Sequence, residues 1–477
     1  MLPGMRRTSL TALVLAALTL GAACGGDDGP APIDAPTAGD ILAQLQAQPE
    51  IADVFERPTS RAGYRFFEIW FTQPIDHAHP ERGTFRQYAT LIHRDPTAPM
   101  VLLHTGYGNW YYDYPGEVTR LYHANQLVIE HRFFRTSRPA AIADWASLTI
   151  EQAAADHHVI ATVMHRLYAG AFLETGASKG GMTSIYHRRF WPDDVDVTLA
   201  YVAPISFAAP DYRYEPYLEG IGPADCKARL RAIQVEMLTN RRAALQTLAG
   251  AEATQEGRSY TRIDLPAAVE SAVISLEWAF WQYVGADGCA GIPAVTATDD
   301  ELFAFLQVVS EVGSSADANL AEFEAYYYQA EVELGYPGTM DEHLTGLTLF
   351  PADAYDGAYP QGVTRPPYER AAMDDVAAWV ATSGERIVLL YGEWDPWSGG
   401  MFDPGARPEV LRVVAPGAPH GAGVGELTAS DRAAVLARVQ AWTGLVADEA
   451  ALARGVPEPA LPRPPRPLRP RPPIAPR

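Results

Sequence analysis

The amino-acid sequence predicts an α/β fold: a mostly parallel sheet covered by helices, with a long helical insertion between two of its strands. Three observations carry this. Short apolar runs alternate with helical stretches between residues 86 and 205. From Phe207 to about Val380 the chain is helical, aromatic and acidic, with little strand signal. Apolar runs then resume at 385–391 and 410–414, and a helical stretch closes the pattern at 429–445.

At the N-terminus, Arg6 and Arg7 precede an apolar run from Leu10 to Ala23 that ends in small residues. This describes an export signal over residues 1–23, too short for a spanning helix. Leu20-Gly21-Ala22-Ala23-Cys24 resembles a bacterial lipobox, which makes Cys24 a lipidation site and ties the chain to the cell envelope. Gly21 stands where that motif usually has Leu, and simple cleavage near Ala23 with secretion is the alternative. Residues 24–40 are rich in Pro, Ala, Gly and Asp and read as a flexible tether.

The first part of the core covers residues 41–206. Arg86–His93 alternates like a half-buried strand, while Met100–His104 and Gln126–Glu130 read as buried parallel strands. Residues 147–168 have helical periodicity, with Ser147 as N-cap and Glu151 in the first turn. Ala171–Thr175 is a strand, residues 176–181 a turn, and a helix runs on to about Phe190 before a strand over Val197–Ile205. The insertion spans 207–380 and the second part of the core 381–446. The stretch 447–477 reads as a disordered tail, Pro- and Arg-rich from Pro457 onward.

Composition narrows the function. Of 477 residues, 48% are hydrophobic, and 58 acidic against 37 basic residues give a net charge of −21, which repels phosphate backbones and excludes a nucleic-acid binder. Three cysteines are too few for a zinc ribbon or an iron–sulfur cluster. In an exported protein Cys226 and Cys289 form the one pair available to the mature body; a disulfide and two unlinked thiols both remain open.

Gly176-Ala177-Ser178-Lys179-Gly180 fits G-x-S-x-G, with an apolar strand before it and a helix after. That turn projects a serine hydroxyl from the sheet, and small neighbours keep it free of clashes. The hydroxyl needs a base, and the base an orienting acid. Asp395 follows the strand ending at Tyr391, and His420 follows the strand 410–414. The order Ser178, Asp395, His420 is that of an α/β-hydrolase. Glu393 and Asp403 are the competing acids, less well placed after the strand. One oxyanion donor is the backbone N–H of Lys179; the other falls to Gly106 or Tyr107, in the loop after Met100–His104. His157 and His158, adjacent on a helix, point different ways and do not suggest a metal site; His77 and His79 sit in a loop and read as structural. The triad needs neither metal nor organic cofactor.

Several segments carry a family resemblance. Phe71-Thr72-Gln73-Pro74-Ile75-Asp76-His77, Gly83-Thr84-Phe85-Arg86-Gln87-Tyr88 and Glu130-His131-Arg132-Phe133-Phe134 are similar to the prolyl carboxypeptidase and dipeptidyl peptidase clan. The elbow Gly176–Thr183, Asp395-Pro396-Trp397 and Pro419-His420-Gly421 resemble the related secreted bacterial tripeptidyl aminopeptidases. The resemblance runs from about Tyr64 to Leu445. It implies an exported serine exopeptidase that releases short peptides, tripeptides above all, from free N-termini, with a preference for proline near the cut. It also implies that the insertion is a helical cap over the site. Glu331 stands where those relatives carry a Cys, so their disulfide at that point is absent. An aminopeptidase pairs the substrate ammonium with a desolvated carboxylate; Glu130 on the sheet side and Glu333 on the cap side are the candidates, with an ion pair to Arg132 as the structural alternative for Glu130. Trp278, Trp281 and Tyr326–Tyr328 are expected to pack the cap's own core. Peptides are the expected partners. An esterase or lipase with the same triad is the rival reading, and a surface lipoprotein without catalysis a second.

Overall fold

The structure is a computed structural model and describes residues 39–338 and 340–453. The signal segment, Cys24, the tether as far as residue 38 and the tail from 454 onward lie outside the described residues.

Nine strands among the described residues, β1 (Ile51–Arg57), β2 (Arg65–Pro74), β3 (Thr84–His93), β4 (Met100–His104), β5 (Asn125–Ile129), β6 (Phe172–Ala177), β7 (Val197–Tyr201), β8 (Ile387–Gly392) and β9 (Val410–Ala415), form one sheet. Their order is β1-β2-β3-β5-β4-β6-β7-β8-β9. The β1, β2, β3 and β5 contacts are antiparallel, and every pairing from β5 through β4 to β9 is parallel. This is the α/β-hydrolase architecture. Strands β4, β5, β7 and β8 are buried at every position, as strands covered on both faces must be. Strand β1 buries only Val54, so its edge position leaves no apolar run in the sequence.

Helices α1 (Ile41–Gln46), α2 (Glu117–Leu121), α3 (Ile150–Leu167) and α4 (Lys179–Phe190) precede the insertion. Thr149, not Ser147, caps α3, its side chain accepting from the Gln152 amide at 3.2 Å. The Ser147 hydroxyl instead donates to the Asp144 carbonyl at 2.7 Å within a 3₁₀ turn, which uses it up before the helix begins. Alternate strand residues sort to two faces: Val101, Leu173, Leu199 and Val388 pack with Val118 of α2 and Val435 and Val439 of the helix Ala429–Thr443, while Leu102 and Leu127 pack with Met164 and Leu167 of α3.

The insertion leaves the sheet between β7 and β8 and builds its own core from Leu230, Ile233, Val273, Phe280, Trp281, Leu306 and Phe323. Cys226, on the helix Ala224–Glu236, and Cys289, in the turn Ala286–Gly291, are joined by a disulfide across a Cα separation of 5.5 Å. Two boundaries move. The helix Ala371–Ser383, mostly inside the expected insertion, packs Met373, Val376 and Val380 against Ile185 of α4 and Ile387 and Leu389 of β8, and so belongs to the core. Residues 447–453, expected in the tail, are folded: Ala451 is buried, and the Asp448 amide donates to the Leu121 carbonyl at 2.8 Å.

Candidate active site

The turn from β6 into α4 puts Ser178 at φ 57°, ψ −126°, a conformation a non-glycine residue holds only when its surroundings force it. Packing on both sides does so. A Cβ on Gly176 would lie 2.4 Å from the Gly180 backbone, and one on Gly180 would lie 2.2 Å from the His104 carbonyl oxygen. Only hydrogen fits at both positions, so the elbow can seat against β4. The Ser178 amide is held by the Tyr201 carbonyl at 2.9 Å.

Asp395 is wholly buried beyond the end of β8. Its Oδ1 accepts from the Trp397 amide at 3.1 Å, and its Oδ2 lies 2.7 Å from His420 Nδ1. With Nδ1–H donating to the carboxylate, Nε2 is left as the basic nitrogen. That Nε2 is buried, and among the described residues it has no hydrogen-bond partner. His420 and the elbow residues Gly176 and Ala177 border one cavity of about 360 Å³. The His420 amide donates to the carbonyl of Gln282 in the insertion at 2.9 Å. The competing acids are engaged elsewhere: Glu393 Oε2 accepts from the Gly417 amide at 2.6 Å, and Asp403 Oδ1 from the Gly405 amide at 3.0 Å.

Lys179 is the first residue of α4, where a helical amide has no partner within the helix. Its buried side chain turns back, donating from Nζ to the Gly106 carbonyl at 2.7 Å and lying over the rings of Tyr107 and Phe134. Burial pushes this ammonium down to about 7, against the opposing pull of Glu333. A Cβ on Gly106 would sit 2.5 Å from the Lys179 carbonyl carbon, so this loop lies directly on the elbow. The Gly106 amide donates to no partner among the described residues. The Tyr107 amide is a different matter. It donates to Thr105 Oγ1 at 3.1 Å and is not free for an oxyanion, which corrects one of the two expected donors. Burial, with Tyr326 and Tyr283 close by, raises the pKa of the Tyr107 phenol well above the ordinary value, and nearby Ser178 pulls it the other way.

Glu130 is also corrected. It is fully buried and saturated: Oε1 accepts from the amides and hydroxyls of Thr136 and Ser137, and Oε2 from the Asn109 amide at 3.0 Å. It pins the loop after β4 and offers nothing to a substrate amine. Nor is it the partner of Arg132, which forms a two-pronged pair with Asp156 at 2.6 and 2.8 Å and donates to the carbonyls of Pro74, Ile75 and Ser147. His77 joins the same knot at 2.7 Å from Asp156. Glu333, on the insertion, interacts electrostatically with Lys179; the Ile150 amide donates to both its oxygens and Gln329 Nε2 to one. Burial pushes its carboxyl up to about 7. The insertion's aromatic residues do both jobs: Trp281 packs inside, whereas Tyr326 meets Tyr107 at 5.8 Å, and Trp278 meets Trp397, which itself lies 6.3 Å from His420.

A cluster beneath the elbow escapes the sequence reading. Glu174 Oε2 takes His187 Nδ1 at 2.8 Å and His104 Nε2 at 3.1 Å, and Thr198 donates to Oε1 at 2.6 Å. His187 Nε2 meets Asp194 at 3.0 Å, and the two carboxylates push His187 up to about 9 while Glu174 falls to about 2. Among the described residues, His104, Glu174 and His187 are the group whose donor atoms, all within 4.8 Å, lie close enough to hold a metal ion. His187 and Glu174 carry opposite charges and bond to each other, while His104 Nδ1 has no hydrogen-bond partner among the described residues. His157 packs against His104 at a ring separation of 4.4 Å, tilted by 45°, while its neighbour His158 faces outward, stacked on Trp191 and bonded to Asp194. The only hint of this cluster in the sequence is a charged residue inside the apolar strand before the elbow.

The sequence pattern of the PS-10 peptidase S37 family matches residues 34–464. A prolyl tri/tetrapeptidyl aminopeptidase of Streptomyces mobaraensis is 36% identical over 448 residues, covering 92% of each chain. Among solved structures, a proline iminopeptidase of Mycobacterium smegmatis is 13% identical over 77% of this chain and 91% of its own, with a TM-score of 0.33. An acetyl xylan esterase of Paenibacillus sp. R4 is 10% identical over 84% and 91%, with a TM-score of 0.36. The chain belongs to the S37 peptidase family and is a serine peptidase of α/β-hydrolase fold.

Proposed function

We propose that the protein is an exported exopeptidase that releases tripeptides, and related short peptides, from free N-termini, favouring proline near the cut. Ser178 attacks the scissile carbonyl, and His420 Nε2 takes its proton and passes it to the leaving amine. Asp395 holds the imidazole and steadies its charge. The amides of Lys179 and Gly106 receive the oxyanion. The observation that carries the reading is the buried Asp395–His420 pair at 2.7 Å, beside a serine held at φ 57° on a turn packed against β4. Two further features support the N-terminal specificity. The name of the Streptomyces relative is that of an aminopeptidase. Glu333 is a desolvated carboxylate on the insertion's side, electrostatically coupled to Lys179 next to the nucleophile. With Glu130 saturated, Glu333 is the group to receive the substrate ammonium.

The test uses the chain from Asp40 to Ala453, with Ser178→Ala as control. A proline-containing peptide is offered with a free and with an acetylated N-terminus, and the products are weighed by mass spectrometry. Tripeptide release from the free form alone, lowered on the order of 10⁶-fold by Ser178→Ala, is expected. Turnover of short acyl esters with neither peptide cut would replace the reading with an esterase.

A further inference from the structure

The 360 Å³ cavity beside His420 has an orientation that follows from the chemistry proposed above, on which this inference rests. Its walls are Ala177 of the elbow, Tyr111 and Tyr114 from the loop after β4, Tyr201 at the end of β7, Glu117 of α2, and His420 with the residues that follow it. Among the described residues, those lining it belong to the hydrolase core and none to the insertion. Tyr107, Lys179 and Glu333, which the proposed reading puts on the acyl side, do not line it. When the tetrahedral intermediate collapses, the scissile nitrogen takes its proton from His420 Nε2, so the chain beyond that nitrogen must run along the surface that His420 shares. That surface is this cavity.

We propose that the cavity is the leaving-group subsite. It takes the first residue beyond the scissile bond and favours an apolar or aromatic side chain there over an acidic one. Leu103, Val118 and Leu452 give it an apolar floor between the three tyrosines. Two carboxylates on its wall, Glu117 and Glu426, outnumber the guanidinium of Arg120 and disfavour an acidic residue. The wall is built, not incidental: Glu117 Oε2 and Oε1 accept from the amides of Val424 and Gly425 at 3.0 and 3.1 Å, fixing the segment after His420 against α2. Ala177 is exposed at the rim, where a longer leaving chain passes outward.

Acyl transfer reads this subsite directly, because the amine that attacks the acyl-enzyme occupies the place the leaving amine vacated. The acceptor nitrogen bonds to the acyl carbon and gives its proton to His420 Nε2; the bond from that carbon to Ser178 Oγ breaks, and the oxygen takes the proton. The enzyme is loaded with a tripeptide methyl ester bearing a free N-terminus, and leucinamide, phenylalaninamide or the α-amide of aspartate is added in increasing amounts. The ratio of tetrapeptide amide to tripeptide acid counts only functional enzyme, so partial misfolding of a variant does not distort it. Saturation by phenylalaninamide and leucinamide, with a ratio about tenfold above the aspartate acceptor, is expected. Gly421→Trp, at a position where a Cβ meets nothing within 4 Å, and Tyr111→Ala should each lower the phenylalaninamide ratio about tenfold. A ratio that rises linearly and equally for all three acceptors, or that neither variant changes, overturns the subsite while the peptidase reading stands. A wild-type chain that forms no tripeptide acid from the ester overturns the catalytic reading, and the subsite with it.

Discussion

The Tyr107 amide closes a small turn on Thr105, while its phenol lies near enough to Ser178 to interact with it. Because burial among Tyr326, Tyr283 and Tyr327 raises its pKa far above ordinary, the phenol stays protonated and remains a donor at any working pH. Tyr107→Phe keeps the ring's packing against Phe134 and Phe323 and removes only that donor. Steady-state kinetics should show kcat reduced about 100-fold with KM little changed; an unchanged kcat would mean the phenol has no part in the reaction. Glu130 and Glu333 make the complementary point. Both are buried carboxylates near the site, yet one is surrounded by five donor groups and the other by two residues' worth. Lone pairs already committed decide which of them can meet a substrate.

The elbow is a junction of β4, β6 and α4, and each contributes one member of the buried cluster: His104, Glu174 and His187. The cluster therefore ties the nucleophile's strand to its helix and to the strand that leads into the oxyanion loop. His187 is raised to about 9 in the folded state from an ordinary 6.5, so its contribution is complete below about 6.5 and is lost as pH climbs through 9. Glu174, lowered to about 2 from 4.5, contributes fully above 4.5 and loses this only as pH falls through 2. Urea denaturation of the wild type should show stability declining between pH 6.5 and 9, and His187→Gln should flatten that slope. A slope the same in both proteins would place the titration elsewhere. The Arg132–Asp156–His77 knot plays a like part at the end of β2, holding Pro74 and Ile75 against α3. The segments that carry the family resemblance, around Phe71–His77 and Glu130–Phe134, are thus largely scaffold for the site and not its reacting groups.

At the scale of the whole molecule, the insertion is bound to the catalytic loop by the hydrogen bond from the His420 amide to Gln282, a few residues before the disulfide-linked turn at Cys289. The bridge closes a span of 63 residues, which in the chain-entropy account stabilises the folded state by about 4 kcal/mol. Cys226→Ser with Cys289→Ser should lower the melting temperature and depress peptide cleavage more than turnover of a small ester, since the proposed function gives the acyl-side contacts to the insertion. Calorimetry with the two assays side by side checks this; equal loss of both activities would show the insertion's anchoring to be irrelevant to peptide binding. The α/β class, the strands from β3 onward and the strand–turn–helix around Ser178 were legible in the sequence because each depends on neighbours within a few residues: an apolar run, a cap, a glycine that must lack a side chain. The order of Ser178, Asp395 and His420 was legible for the same reason, each following its own strand. Edge strand β1 was not, because only Val54 of it is buried. What the tertiary structure alone decided are the questions of which polar groups are already taken. Glu333 meets Ile150 across 183 residues, Glu174 meets His104 across 70, and Glu130 meets Asn109 across 21. A hydrogen bond commits a lone pair wherever its donor comes from, and burial makes that commitment costly to break, so the availability of a side chain for chemistry is a property of the packed molecule and not of its local sequence.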